Sequence, residues 1–124
     1  MTTKKKLSGD RGERAAEAFL TTLGYRILER NVRVGRDEID LLVQYGDLVA
    51  IVEVRLRGVT AFEPPLASVD AKKRAKLVRA AHRLWAERWS KDPNPPRLRF
   101  DVVGVRIDES GVARCEHVAG AFTA

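Results

Sequence analysis

The chain has 124 residues, of which 44% are apolar and 32% are charged, and its formal net charge is +6. This length supports one domain with a single core and excludes two. No apolar run approaches the roughly 18 residues that span a membrane, and the basic start is not followed by the apolar segment of a secretory signal. The one cysteine excludes an internal disulfide and a cysteine-built zinc site. We therefore expect a cytoplasmic protein with no membrane partner.

The chain reads as a single domain over 1–124, with residues 1–7 as a mobile basic tail. Asp10 to Glu13 resembles a capping box, which predicts that the first helix begins there. In that first turn Glu13 already has a sufficient role, because a carboxylate suits the helix dipole. The later predicted elements are strands over 25–34, 38–45 and 48–55, a helix that starts at 68 or 70 and ends before 91–96, and strands over 98–107 and 112–118. This order, αβββαββ, predicts an α/β sandwich with a mixed sheet.

The centre of the pattern is a hairpin whose turn is Gly46-Asp47. If these two residues alone form the turn, counting outward places Asp40 directly opposite Glu53. Facing carboxylates repel one another, so the pair calls for a shared proton or a divalent cation. Two alternatives remain open at this point: both groups are simply solvated, or a longer loop shifts the register and removes the pairing.

The same hairpin contains a candidate catalytic motif, Asp40…Glu53-Val54-Arg55. A carboxylate on one strand, and a carboxylate two residues before a cation on the next, is the layout of the PD-(D/E)xK nucleases. Asp40 and Glu53 could hold Mg²⁺ or Mn²⁺ with the Val54 carbonyl as a third oxygen ligand, and the metal would acidify a water and polarise a phosphate. Arg55 would contact the phosphate, and Glu13 would assist from the first helix.

The positive charge is concentrated in the second predicted helix. Residues 72–91 hold eight Lys and Arg against one acid, Glu87. Such a face favours polyanions, of which nucleic acid is the commonest, although a solvated helix surface is the alternative. The candidate nucleic-acid-binding residues are Lys72, Lys73, Lys76, Arg79 and Arg83.

Four sequence blocks, at 12–20, 24–31, 38–42 and 49–55, together resemble the YraN-like family of small bacterial proteins, and 99–102 also fits its pattern. The resemblance covers about residues 8–122. It implies a restriction-endonuclease-like α/β/α sandwich with a mixed central sheet, related to Holliday-junction resolvases and tRNA-endonuclease-like domains. It also implies a role on nucleic acid, DNA being the expected partner, and it leaves a homodimer open. Glu13, Asp40 and Glu53 match the acidic cluster of that layout.

The chain departs from the family pattern at two places. Arg55 stands where the family has lysine, and arginine stays charged, so it could neutralise a phosphate but could hardly act as a base. Arg36 and Asp37 stand where glycine is usual, which affects the turn before Asp40. Three functions therefore compete: a Mg²⁺- or Mn²⁺-dependent endonuclease for structured or branched DNA, a catalytically lapsed nucleic-acid-binding module, and a domain whose basic helix meets an acidic protein.

Overall fold

The structure is a computed structural model that describes residues 4–57 and 65–124, with side chains from residue 10 onward. The elements in chain order are α1 (Lys4–Thr22), β1 (Arg26–Val34), β2 (Asp37–Tyr45), β3 (Leu48–Arg57), a short 3₁₀ helix η1 (Pro65–Ser68), α2 (Ala71–Arg88), β4 (Arg97–Ile107) and β5 (Ala113–Phe122). Within these described ranges, no helix is long and apolar enough to cross a membrane.

The five strands form one sheet in the order β1-β2-β3-β4-β5. All neighbours are antiparallel except β3 and β4, which run parallel. Parallel neighbours need a long crossover, and α2 lies in the segment that provides it. The predicted α/β fold with a mixed sheet and two helices is therefore confirmed.

The sheet is covered by one helix on each face, and each helix has its own core. On the first face Ala16 and Leu20 of α1 pack against Leu41, Val43, Ala50, Val52, Val103 and Val105. On the second face Leu77, Ala80, Ala81 and Leu84 of α2 pack against residues that include Ile39, Leu42, Val49, Ile51, Phe100 and Val102. Because β3 is covered on both sides, its run of apolar residues carries no polar alternation until Glu53.

The hairpin register follows the prediction. Tyr45 pairs with Leu48, and the ladder runs outward from there to Leu41 opposite Val52. Gly46 has a φ of +59°, a conformation that residues with a Cβ rarely adopt. A two-residue turn led by glycine is therefore what sets which side chains of β2 and β3 face each other.

Several predicted boundaries were wrong. Helix α1 already begins at Lys4, so residues 4–7 belong to the helix, and Asp10 lies inside the helix instead of capping it. Strand β5 continues to Phe122, beyond the predicted end at 118. Residues 1–3 lie outside the described chain.

The rotation of α2 differs in part from the one that helical spacing predicts, which is an apolar stripe of Ala71, Ala75, Val78, Ala81, Trp85 and Trp89 widened by Leu84. Ala81 and Leu84 are buried as expected. Ala71 and Ala75 are exposed, whereas Leu77 and Ala80, which the stripe omitted, are buried. Alanine fits either environment, so alanine-rich spacing leaves the rotation of a helix poorly defined. Of the two candidate caps, Asp70 is the one that caps the helix, because its side chain accepts from the backbone N–H of Lys73.

Candidate functional site

Asp40 lies where the β2–β3 ladder ends. Past the pairing of Leu41 with Val52, the Oδ2 atom of Asp40 accepts a hydrogen bond of 2.8 Å from the backbone N–H of Val54. The N–H and C=O of one strand residue point toward the same neighbouring strand, so the Val54 carbonyl faces this gap as well. The side chain of Asp40 therefore accepts the hydrogen bond that a carbonyl of β2 would accept in a regular ladder. The carbonyl oxygen of Val54 lies beside it as a second possible metal ligand.

Glu53 is the buried member of the carboxyl pair, with 5% of its side chain exposed. Burial, followed by a hydrogen bond and charge repulsion from Asp40, raises the pKa of Glu53 to about 8, while Lys73 acts in the opposite direction. The two carboxyl groups thus lie close enough to interact, although the paired register ends one position earlier, at Leu41 and Val52, and does not include the predicted pair of Asp40 and Glu53. A pKa of about 8 favours the protonated form of the Glu53 carboxyl at neutral pH, because ionising it would place a second negative charge beside Asp40 in a buried position.

Glu13 approaches the pair from α1. Burial raises the pKa of its carboxyl, and the next largest cause is the charge of Asp40. Because α1 begins at Lys4, Glu13 lies well inside the helix, so the first-turn role that could have explained it does not apply. Within the part of the chain that the structure describes, however, no three His, Cys, Asp or Glu side chains converge into one metal-binding group. The site is a carboxyl pair with Glu13 as an electrostatic neighbour.

The cation that contacts the pair comes from α2 and not from β3. The Nζ atom of Lys73 lies 3.3 Å from Oε2 of Glu53. Arg55, two residues after Glu53, instead donates through Nε to the Oγ atom of Ser68 at 3.1 Å, and this hydroxyl donates to the Pro65 carbonyl. Sequence reasoning assigned Lys73 to the nucleic-acid surface, because spacing along α2 does not reveal that its first turn lies over β3.

The remaining predicted cations of α2 differ in their contacts: two are exposed, and two lie against the turn between β1 and β2. Lys72 and Lys76 are exposed, and among the described residues neither forms an ion pair. Arg79 makes two hydrogen bonds, of 2.8 and 2.7 Å, to Asp37, and its Nε hydrogen bond keeps the pKa of that carboxyl below its ordinary value. Arg83 lies so close to Gly35 that a Cβ there would overlap its guanidinium.

The ion pair with Arg79 gives a role to Asp37, which stands where the family usually has glycine. Asp37 binds Arg79 and so joins the β1–β2 turn to α2. A groove of about 490 Å³ runs between that turn and the helix. Its lining consists of Ala75, the acid Asp37 and four cations, which are Arg36, Lys72, Lys76 and Arg79.

Sequence reasoning missed a second polar cluster, centred on Asp101 of β4. Its side chain is fully buried and accepts hydrogen bonds from Arg99, from the backbone N–H of Gly120 and from the ring of His117 in its donor form. Burial alone would raise the pKa of Asp101, but the bonds from His117 and Arg99 outweigh it and lower the pKa. An acid inside an apolar strand was the available signal.

Comparison with known proteins places the chain in a family. The model of the uncharacterised protein family UPF0102 matches residues 12–105. The chain belongs to UPF0102. Its relatives include UPF0102 proteins of Sorangium cellulosum, 42% identical over 95% of this chain and 82% of that one, and of Symbiobacterium thermophilum, 42% identical over 94% and 96%. A UPF0102 protein of Moorella thermoacetica is 41% identical over 98% of this chain and all of its own length. The resemblance to the YraN-like family is therefore confirmed.

Among solved structures, this UPF0102 chain is similar to that of Pyrococcus furiosus SfsA in complex with Ca²⁺. The TM-score is 0.38 and the identity 17%, over 90% of this chain and 62% of SfsA.

Proposed function

We propose that this UPF0102 protein is a Mg²⁺- or Mn²⁺-dependent endonuclease that hydrolyses phosphodiester bonds in structured or branched DNA. The observation that carries the proposal is the carboxyl pair Asp40–Glu53, held in contact in a buried site where burial and mutual repulsion raise the pKa of Glu53 to about 8. Burial and repulsion of the two carboxyls lower the stability of the fold, and a divalent cation bound between them would offset this loss.

The donor set fits such a cation. Mg²⁺ is commonly bound by one or two carboxylates, with waters and substrate phosphates completing its shell, so a third carboxylate is not required. Asp40, Glu53 and the carbonyl of Val54 would hold it, and when bound it would supply Lewis acidity and an acidified water. Glu13, whose pKa responds to Asp40, would strengthen the negative field that attracts the cation.

The fold and the basic surface support a nucleic-acid substrate. A mixed sheet with one helix on each face, carrying its acids where β2 and β3 separate, is consistent with the restriction-endonuclease-like architecture that we propose here. The exposed Lys72 and Lys76, beside Arg36 in the groove along α2, would hold phosphates without reading bases. Binding of this kind weakens as the salt concentration rises.

The experiment is cleavage of a four-way DNA junction and of a linear duplex of the same sequence, with Mg²⁺, with Mn²⁺ and with chelator. We expect metal-dependent cutting of the junction that Asp40→Asn and Glu53→Gln each reduce by about a hundredfold or more. Glu38→Gln removes an exposed acid of the same strand and is expected to leave cutting intact. Cutting that survives Asp40→Asn would refute the proposal.

A second candidate, a module that binds DNA without cutting it, is favoured by one contact: Arg55, which occupies the motif position, is engaged with Ser68. It predicts salt-sensitive binding of the junction, the same affinity with and without metal, and intact DNA after long incubation. That combination would replace the nuclease proposal.

A further inference from the structure

The residue at the motif position, Arg55, binds Ser68, and no ion pair between it and the carboxyl pair is seen in the part of the chain that the structure describes. Arg55 is half-buried and donates to Ser68 of η1, and the Ser68 hydroxyl in turn donates to the Pro65 carbonyl at 2.7 Å. Gly104 of β4 lies directly beneath η1, where a Cβ would overlap Pro65. Arg55 therefore ties β3 to the 3₁₀ helix that leads into α2.

Lys73 contacts the carboxyl pair from α2. Its side chain is 36% exposed, and its Nζ atom lies 3.3 Å from the nearly buried carboxyl of Glu53. Its backbone is fixed too, because the N–H of Lys73 donates to Asp70 at 2.8 Å in the helix cap. One face of the ammonium thus contacts Glu53, while the exposed part of the side chain remains open to a ligand.

We infer that Lys73 is the catalytic cation of this site, placed by the first turn of α2 on the scissile phosphate in the role that the PD-(D/E)xK layout gives to residue 55. The inference rests on the proposed nuclease function and deepens it. A lysine ammonium is compact and carries three donors, so it can contact Glu53 and a phosphate oxygen together.

The part that Lys73 plays in hydrolysis is electrostatic. A water oxygen forms a new bond to phosphorus while the ester P–O bond breaks; the water loses a proton to solvent, and the departing oxygen takes one from solvent. Negative charge grows on the phosphate oxygens in the transition state, and a cation already in position stabilises it without reorganisation. Lys73 exchanges no proton with the reacting groups in this step.

The chain offers a matched control in the preceding residue. Lys72→Met removes the same charge from the same helix turn, but Lys72 is exposed and lies in the groove beside Arg36. For Lys73→Met we expect single-turnover cutting of saturating junction DNA to fall about a hundredfold, with metal-free affinity for the junction within about threefold of wild type. For Lys72→Met, a residue that we place on the DNA-binding surface, we expect the opposite pattern, in which junction affinity falls more than the single-turnover rate.

Rescue separates a catalytic charge from a structural one. Adding Arg55→Lys to Lys73→Met returns a lysine to the motif position, and we expect the double variant to cut faster than Lys73→Met alone. A double variant no faster than Lys73→Met would overturn the exchange of roles between the two positions.

The remaining outcomes separate this inference from the proposed function. A Lys73→Met protein that cuts saturating DNA at the wild-type rate would overturn the inference, and loss of cutting in Asp40→Asn would still support the nuclease. If Lys73→Met lost junction affinity and cutting rate to the same extent, Lys73 would only hold the DNA backbone, as we propose for Lys72. That result would also overturn the inference. A wild-type protein that does not cut would overturn both.

Discussion

Replacement of Glu53 by glutamine is expected to remove a large pH dependence from the stability of the protein. The folded-state pKa of Glu53 is about 8, raised first by burial and then by Asp40, whereas an unfolded chain has an ordinary value near 4.3. Between these values the folded protein holds a proton that the unfolded chain has lost. Wild-type stability from this group is therefore full below the lower pKa, declines as pH rises, and levels off above the higher one.

The magnitude follows from the slope of about 1.4 kcal/mol for each pH unit. Between about pH 6 and pH 9 the wild-type protein should lose roughly 3 kcal/mol that Glu53→Gln does not lose. For a domain of this size, that difference corresponds to a change of roughly 10 °C in the gap between the two melting temperatures.

The assay is urea and thermal unfolding of both proteins across this pH range, followed by circular dichroism without divalent metal. Other titrating groups are common to both chains and cancel in the difference. Glu87→Gln, an exposed acid of α2, is the control and should run parallel to wild type. A wild-type-minus-variant difference that stays constant from about pH 6 to pH 9 would show that Glu53 is ionised in the metal-free fold and refute the carboxyl-pair argument.

Three further outcomes are expected. Mn²⁺ should raise the wild-type melting temperature more at about pH 9 than at pH 6, because the cation competes with a proton for the same carboxyl; calorimetry without DNA checks this. Asp101→Asn should cost about 2–3 kcal/mol in urea unfolding, since it removes a fully buried carboxylate that accepts two charge-assisted hydrogen bonds from Arg99, and a loss below about 1 kcal/mol would contradict it. Gly104→Ala should cost about 1–3 kcal/mol through overlap with Pro65, and hydrogen exchange should quicken where the displaced 3₁₀ helix enters α2.

Pairing within the hairpin could be predicted because it is local. A two-residue turn led by Gly46 leaves one way to count outward along β2 and β3, and the observed pairs follow that count as far as Leu41 opposite Val52. Asp40 and Glu53 are the next residues on the two strands. The cap at Asp70 could be predicted for the same reason, since it depends on residues three positions apart. The start of α1 could not, because the box-like residues Asp10 to Glu13 also fit inside a longer helix.

By itself, the sequence determined the mixed α/β fold, the register of the hairpin up to Leu41 and Val52, and the concentration of positive charge in α2, because strand alternation, turn length and composition act over short distances. Only the tertiary structure decided which cation serves the pair. Lys73 meets Glu53 and Arg55 meets Ser68 because η1 packs against β4 and β5 while α2 packs against β1 and β2, so that both elements come beside β3, the strand between them. Contacts between segments so distant in the chain depend on how whole elements pack, and the spacing of residues within one element does not predict that packing.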